Sequence, residues 1–470
     1  MNTKTPLDYF REISAIPRAS GNEEGIAQYL MAFGKEHGLF CRTDAHHNVF
    51  LKKNGSRGRE NEPAVLLQAH TDMVAEKNAG VDHDFVTEGI ELVFEGNVLH
   101  AAGTTLGADD GFGVSLILHA LADDALSHPP MECLFTASEE IGLLGATGFD
   151  YSDVTARRMV NLDSTGEREV IVGCCGGMRH DLSLPLTREA ANGACFSLCL
   201  GGLCGGHSGE DIHKGRLNAH TVMGKLLTAL GEKTALRLSY LSGGDKDNAI
   251  PRECEAHFTA EDGAKAMAAL PMLQELLAET VTAEEDRSCT LTLREIAAEP
   301  FVSAKDTQKI LSVLSLPNGV LEWNGGHTMP YLSRNLARIR TENGKICFGF
   351  SSRCPDFGRI ESLKNELDAF AATIGGTTRH YAAYPGWESP ADAPVVRNWQ
   401  KAYRTVAGAE CVPTVIHAGL ECGIISGALP GLEAVSVGAN VYDLHTPAER
   451  MELDSFARMA EVLREYLKIC

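Results

Sequence analysis

Apolar residues recur along this chain in two periods, and the alternation of the two predicts an α/β architecture. Thr5-Pro6 reads as a cap and a first-turn proline ahead of Leu7, Phe10 and Ile13, which stand at helical spacing. A second helix is predicted from Asn22, with Glu23 and Glu24 in its first turn, Ile26, Leu30 and Phe33 on one face, and Gly38 ending it. Short apolar runs predict strands at 48–52 (NVFLK), 66–74 (LLQAHTDMV), 131–137 (MECLFTA) and 159–162. A polar turn at 54–61 precedes the second of these. Gly96-Asn97 marks a tight turn, and a helix with Val114, Ile117, Leu118 and Leu121 follows a glycine-rich stretch at 102–113. Strands alternating with helices over this length predict a sheet with helices on both faces.

Near residue 183 the rhythm changes. A strand-like run at 196–203 passes into glycine-rich sequence around His207, then a helix carrying Ala219, Val222, Met223, Leu226 and Leu230, then a strand near 236–240. A similar sequence of strand at 289–293 and helix at 362–374 predicts an inserted domain of two βαβ-like halves. Short apolar runs at 414–416 and 433–437, and a last helix with Phe456, Met459, Leu463 and Leu467 inward, resemble the opening pattern again. The expected organisation is one α/β domain from 1–183 and 400–470, interrupted by an α+β domain at 184–399.

A chain of 470 residues is too long for one ordinary core, and 44% hydrophobic with 22% charged residues describes a globular protein. The formal net charge of −21 argues against nucleic acid and against an anionic membrane as partners. No uninterrupted apolar window of about 18 residues occurs, and the opening MNTKTPLDYFREIS lacks a signal-peptide pattern. The fourteen cysteines lack the paired spacing of a structural zinc site, so reduced packing thiols and a cytoplasmic location are expected.

Chemistry gathers at strand ends. In extended backbone, residues i and i+2 share a face, so His70 and Asp72 emerge together: an imidazole beside a carboxylate that can fix its tautomer. Further acids and a histidine end later elements, in GADDG (107–111), SEE (138–140), NLDS (161–164) and DLHT (443–446). His70, Asp109, Glu140, Asp163 and His445 would make a set of two histidines and three carboxylates. One bridging carboxylate, with a histidine and a further carboxylate on each side, suits two zinc ions, with manganese or cobalt as substitutes. Of two adjacent glutamates only one readily faces a given metal, which leaves the other to act as general base. These patterns leave the choice between Asp109 and Asp110 open, and between Glu139 and Glu140.

The motifs HTDMV, GADDG, SEE, NLDS and HTPAE (445–449) resemble those of the dinuclear zinc peptidases and amidohydrolases, the superfamily of aminoacylase, carnosinase and succinyl-diaminopimelate desuccinylase. TTLGADDG, GGHSGEDIHKG, NAIPRE and HAGLECG, in this order, are similar to the versions found in the bacterial aminoacyl-histidine (cytosolic non-specific) dipeptidase family. The resemblance implies a catalytic domain interrupted by a lid, and hydrolysis of unblocked dipeptides, Xaa-His among them. It implies His70 and Asp163 on one zinc, Glu140 and His445 on the other, and Asp109 bridging. Asp72 would orient His70, Glu139 would be the general base, and His207 would stabilise the oxyanion. Asn248, Arg353, His417 and Gly419 would line the substrate site, with Arg353 on the substrate carboxylate. Many relatives carry an arginine soon after NAIP; here HFTAE (257–261) has none, which leaves the carboxylate anchor open with Arg353 as the substitute. The alternatives are an N-acyl-amino-acid amidohydrolase with the same chemistry and a zinc-binding protein without catalysis. A monomer and a homodimer are both left open.

Overall fold

The structure, a computed structural model, describes residues 4–190, 193–342 and 344–470. The chain forms two compact units, the first from Met1–Cys174, Gly386–Val415 and Gly419–Cys470, the second from Cys175–Pro385 and Ile416–Ala418.

The first unit is built on a mixed sheet of nine strands. Its centre is four parallel strands in the order Met131–Thr136, Val65–His70, Arg158–Asn161 and Glu433–Ser436. Phe40–Thr43 and Val49–Lys53 extend one side antiparallel, and Glu169–Cys174 and Trp387–Glu388 extend the other. The two faces are separately buried. Val65, Leu67 and Ala69 join a core completed by helices Pro6–Ser14, Glu24–Glu36, Ala108–Ala122, Pro394–Ala407 and Leu453–Ile469. Leu66, Leu134 and Met159 point the other way and are equally buried, and on that face Phe149 packs edge-on against Phe50. Strands covered on both faces read as continuous apolar runs, which is why 131–137 shows no alternation. Each such side chain taken from water contributes roughly 1.5–3 kcal/mol. Helix Ala108–Ala122 is buried nearly all round, whereas Pro6–Ser14 is one-sided and starts with the Thr5 cap, its hydroxyl accepting from the Asp8 N–H at 3.2 Å. All four parallel strands end on one side, and that edge carries His70, the 138–140 turn and Asp163.

The second unit holds a four-stranded sheet, Leu236–Ser242, Cys254–Ala260, Cys195–Gly201 and Thr290–Ile296 in that order, and a five-stranded one, Gly319–Trp323, Pro330–Glu342, Lys345–Cys354, Gly176–Pro185 and Thr377–Tyr384. Helices Ala219–Gly231, Leu270–Thr280, Ala304–Leu314 and Phe357–Ile374 complete a core that joins both sheets. The hydrogen-bonded strand pairs described in this unit are antiparallel, yet Cys195–Gly201 and Leu236–Ser242, the strands before and after helix Ala219–Gly231, both pair with Cys254–Ala260 and so run parallel to each other. Lys345–Cys354 and Thr377–Tyr384, before and after helix Phe357–Ile374, do the same on either side of Gly176–Pro185. Helical and strand periods show along the sequence, but the direction of pairing does not.

The crossings between units also differ from 183/184 and 399/400. Strand Gly176–Pro185 is hydrogen-bonded on both edges within the second unit. Helix Pro394–Ala407 buries Val395, Val396, Trp399 and Tyr403 in the first unit's core. Residues Ile416–Ala418, expected in the first domain, belong to the second. The fourteen cysteines are free thiols, none of them exposed. Among the described residues no helix is long and apolar enough to cross a membrane.

Candidate metal centre

Two histidines converge on one carboxylate. His70 Nε2 lies 2.9 Å from Asp109 Oδ1, and His445 Nε2 lies 3.2 Å from Asp109 Oδ2. Each oxygen of Asp109 thus serves a different imidazole. Asp163 Oδ1 is 3.6 Å from His70 Nε2, and Glu140 Oε1 is 3.0 Å from His445 Nε2. Asp110 takes another part: its carboxylate accepts from the backbone N–H groups of His70 and Gly113, both at 3.1 Å. The geometry therefore turns Asp109 towards the imidazoles and Asp110 towards the backbone.

Asp72 organises the opposite rim. Its Oδ1 stands 3.4 Å from His70 Nδ1, and its carboxylate accepts from the N–H groups of Glu139 and Glu140 at 3.0 and 3.3 Å and from Ser20 Oγ at 2.7 Å. One side chain thereby ties the strand end bearing His70 to the turn bearing both glutamates. That turn begins at Ser138, whose φ of 54° lies in the left-handed region; Asp443 and His445 are there too, at 54° and 61°. Such backbone costs about 1–2 kcal/mol per non-glycine residue and persists where surrounding contacts enforce it. At Ser138 the enforcing group is the buried Glu23, which accepts from the Ser138 N–H at 3.1 Å and its hydroxyl at 2.8 Å.

Burial is opposed to charge throughout this cluster, and neighbours decide the outcome. Burial and the Glu140 carboxylate raise Glu139 well above the usual carboxylate range, against the pull of His70. Burial pushes Asp163 up to about 6, against His70 and with Asp109 and Glu140. For Asp109 burial is outweighed, and His445 and His70 hold its carboxyl low. Burial resists charging His445, yet Asp109 and Glu140 push its pKa up to about 11. Negative groups outnumber positive ones here, even with the Arg18 guanidinium close to Asp72, Asp109 and Asp110. His70 Nδ1 and Glu140 Oε1 are sealed from solvent, the first facing Asp72 and the second His445. His70 takes part in two metal-sized clusters, one with Asp109 and Glu140, the other with Asp110 and Asp163. Converging imidazole and carboxylate donors and excess negative charge both fit divalent cations.

Several supporting residues escaped the sequence reading. Glu449 accepts from four successive N–H groups, those of Leu106 (2.8 Å), Gly107 (3.0 Å), Ala108 (2.8 Å) and Asp109 (3.3 Å), and so shapes the loop that presents Asp109. Its signal was visible as the last letter of HTPAE, without a role. The buried Arg18 donates to the carbonyls of Thr71 (3.0 Å), Asp72 (3.2 Å) and Gly107 (2.5 Å), pinning the two ligand-bearing segments together, and nothing in its local sequence announces it. Glu421 accepts from Gln68 at 2.5 Å and Thr136 at 2.6 Å beneath the same strand ends, and burial pushes its pKa to about 7.

A model of peptidase family M20/M25/M40 matches residues 66–469. The chain belongs to this family. It is a peptidase, and its relatives agree. The cytosol non-specific dipeptidase of Escherichia coli (strain K12) is 34% identical over 473 residues, covering 98% of this chain and 96% of that protein. The crystal structure of aminoacylhistidine dipeptidase from Vibrio alginolyticus superposes with a TM-score of 0.85 at 34% identity, covering 98% of this chain and 96% of that one. A tripeptidase of Staphylococcus aureus shares the fold with a TM-score of 0.58 at 17% identity, covering 100% and 98% of the two chains.

In the second unit of this M20/M25/M40 peptidase, the ribbon Gly206–His207 against Ala249–Ile250 places His207 opposite Ala249, next to Asn248. Asn248 is exposed, and its carbonyl accepts from the Ser208 N–H at 2.8 Å. His207 Nδ1 accepts from the Glu210 N–H at 3.2 Å, so a neutral ring carries its proton on Nε2. That nitrogen is 3.4 Å from Arg353 Nη2. Arg353 also donates to Tyr384 Oη at 3.0 Å. His417 is buried with Nδ1 3.0 Å from Cys175 Sγ and Nε2 2.7 Å from Ser333 Oγ. Burial and the nearby Arg353 charge press its pKa down to about 3, so the ring is neutral. Gly419 belongs to the first unit and is partly buried.

Proposed function

We propose that this peptidase hydrolyses unblocked dipeptides, Xaa-His among them, at a centre holding two divalent cations. The observation that carries the reading is the division of the Asp109 carboxylate between His70 and His445, at 2.9 and 3.2 Å. The roles proposed are His70 and Asp163 for one cation, Glu140 and His445 for the other, and Asp109 for both. Zinc is the proposed metal, with manganese or cobalt as substitutes. Cations held there supply Lewis acidity towards a carbonyl and lower the pKa of water. Glu139, half-buried and with a raised proton affinity, takes a proton from the attacking water and delivers it to the leaving amine. Asp72 holds His70 and the Glu139 backbone in register. The Nε2–H of His207 donates to the developing oxyanion, and the planar fork of Arg353 takes the substrate carboxylate. Asn248, His417 and Gly419 complete the proposed substrate site, His417 as a neutral support because both its ring nitrogens are engaged. A cytosolic location, as in the Escherichia coli relative's name, belongs to the same proposal.

The test is a panel assayed on metal-reconstituted protein: Ala-His, β-Ala-His, Leu-Gly, a tripeptide and N-acetyl-Ala. Cleavage of dipeptides alone, abolished by chelation, is expected. Turnover of N-acetyl-Ala with no dipeptide cleaved would make the protein an acyl-amino-acid hydrolase. Inactivity on every substrate with metal bound would leave a binding protein.

A further inference from the structure

The five-stranded sheet of the second unit sets two arginines on one face. Arg179 lies directly across from Ser351 on one neighbouring strand and Tyr381 on the other. Arg353 lies across from Gly177 and Ser333. Directly paired residues share a face, as do residues two apart on a strand, so Arg179 and Arg353 are diagonal neighbours, roughly 7–8 Å apart at the backbone. Between them Gly177 leaves room for Tyr384: a Cβ there would meet that ring at 2.5 Å. Tyr384 Oη is already taken by Arg353.

Arg179 is partly buried and its Nη1 is sealed from water without a hydrogen-bond partner. Among the described residues no carboxylate pairs with it. Asp247, an acid whose charge bears on it, is ion-paired to Arg338. Burial and the Arg353 charge both work against a cation at this position. A desolvated guanidinium beside a second one, with no acid of its own, is costly unless something anionic arrives. In the proposed reaction the substrate's single α-carboxylate answers Arg353 and leaves Arg179 unmatched.

We infer that Arg179 binds a second carboxylate, the acidic side chain of the substrate's C-terminal residue, so that Xaa-Glu and Xaa-Asp dipeptides are preferred substrates. This rests on the dipeptidase reading and on the assignment of the α-carboxylate to Arg353. An acidic C-terminal residue carries both carboxylates on one short frame, suited to two diagonal neighbours on a sheet face. A planar fork that is left unpaired with a neutral substrate is the kind of site that discriminates by charge.

Ala-Glu and Ala-Gln, which differ in charge at constant shape, provide the test. The wild-type protein is expected to show a kcat/KM ratio of at least about tenfold in favour of Ala-Glu. Arg179→Met should bring that ratio close to one, and Arg179→Lys should retain part of it by keeping the charge. A wild-type ratio of one or less, or a ratio unchanged in Arg179→Met, would overturn the inference. Calorimetric binding of glutarate against butyrate decides the same point without turnover: glutarate should bind about tenfold tighter to the wild type and lose that advantage in Arg179→Met. Failure to cleave either dipeptide with the glutarate preference intact would remove the dipeptidase reading and keep the anion site. Equal binding of the two acids would remove the site.

Discussion

At the scale of single residues, the centre separates groups that converge on the Asp109 carboxylate from groups that hold them in place. Glu139 makes no contact with Asp109 like those of His70 and His445, and its half-buried carboxyl has a raised proton affinity. Glu139→Gln is therefore expected to lower kcat by about 10²–10⁴ while metal content, read by plasma mass spectrometry, stays at the wild-type level. Glu449 does the opposite kind of work. Replacing it with Ala strands four N–H groups of the Asp109 loop, and urea unfolding should show a loss of about 3–5 kcal/mol, with weaker metal binding. Half of this was legible in the sequence. Spacing along one strand joined His70 to Asp72, and motif order supplied the remaining acids. Asp110 and Asp109 were indistinguishable because adjacent residues differ only in where the local backbone turns them.

At the scale of elements, helix Ala219–Gly231 couples a cap to a buried histidine. Asn218 caps it, its Oδ1 accepting from the His220 N–H at 3.0 Å, and His220 Nδ1 bonds to the Leu336 carbonyl at 3.0 Å. Burial presses the His220 pKa from 6.5 down to about 4. A folded-state value below the unfolded one means that the unfolded chain binds more protons between these two pH values. The contribution is then whole above pH 6.5 and is withdrawn as pH falls towards 4, by roughly 3 kcal/mol. Denaturant unfolding at pH 7.5 and pH 5 should show about 2 kcal/mol of this loss, and His220→Gln should flatten it. Apolar spacing made the helix visible beforehand, through Val222, Met223, Leu226 and Leu230. The antiparallel pairing of the strands around it was hidden, because a strand's own residues carry its faces and not its neighbours.

At the scale of the molecule, distant parts of the chain make one centre. Strand Glu433–Ser436 pairs with Arg158–Asn161, and the loop after it returns His445 to Asp109. The acids gathered there repel one another once ionised, so cations that bind only the folded chain should stabilise it by mass action. Chelation is expected to lower the melting temperature together with activity, and added Zn²⁺ to restore both; an unchanged melting temperature would show that the centre carries no metal at working concentration.

Sequence by itself determined the parallel strands' apolar runs, the strand-end position of His70 and Asp163, and the packing of the cysteines, because these follow from period, composition and local spacing. Tertiary structure decided the rest: which aspartate faces the imidazoles, that Arg18 and Glu449 brace the ligand loops, where the chain crosses between units, and that Arg179 stands beside Arg353 without an acid. Each depends on which segments pack or pair across long stretches of chain, and on the charge and solvent exclusion those contacts create.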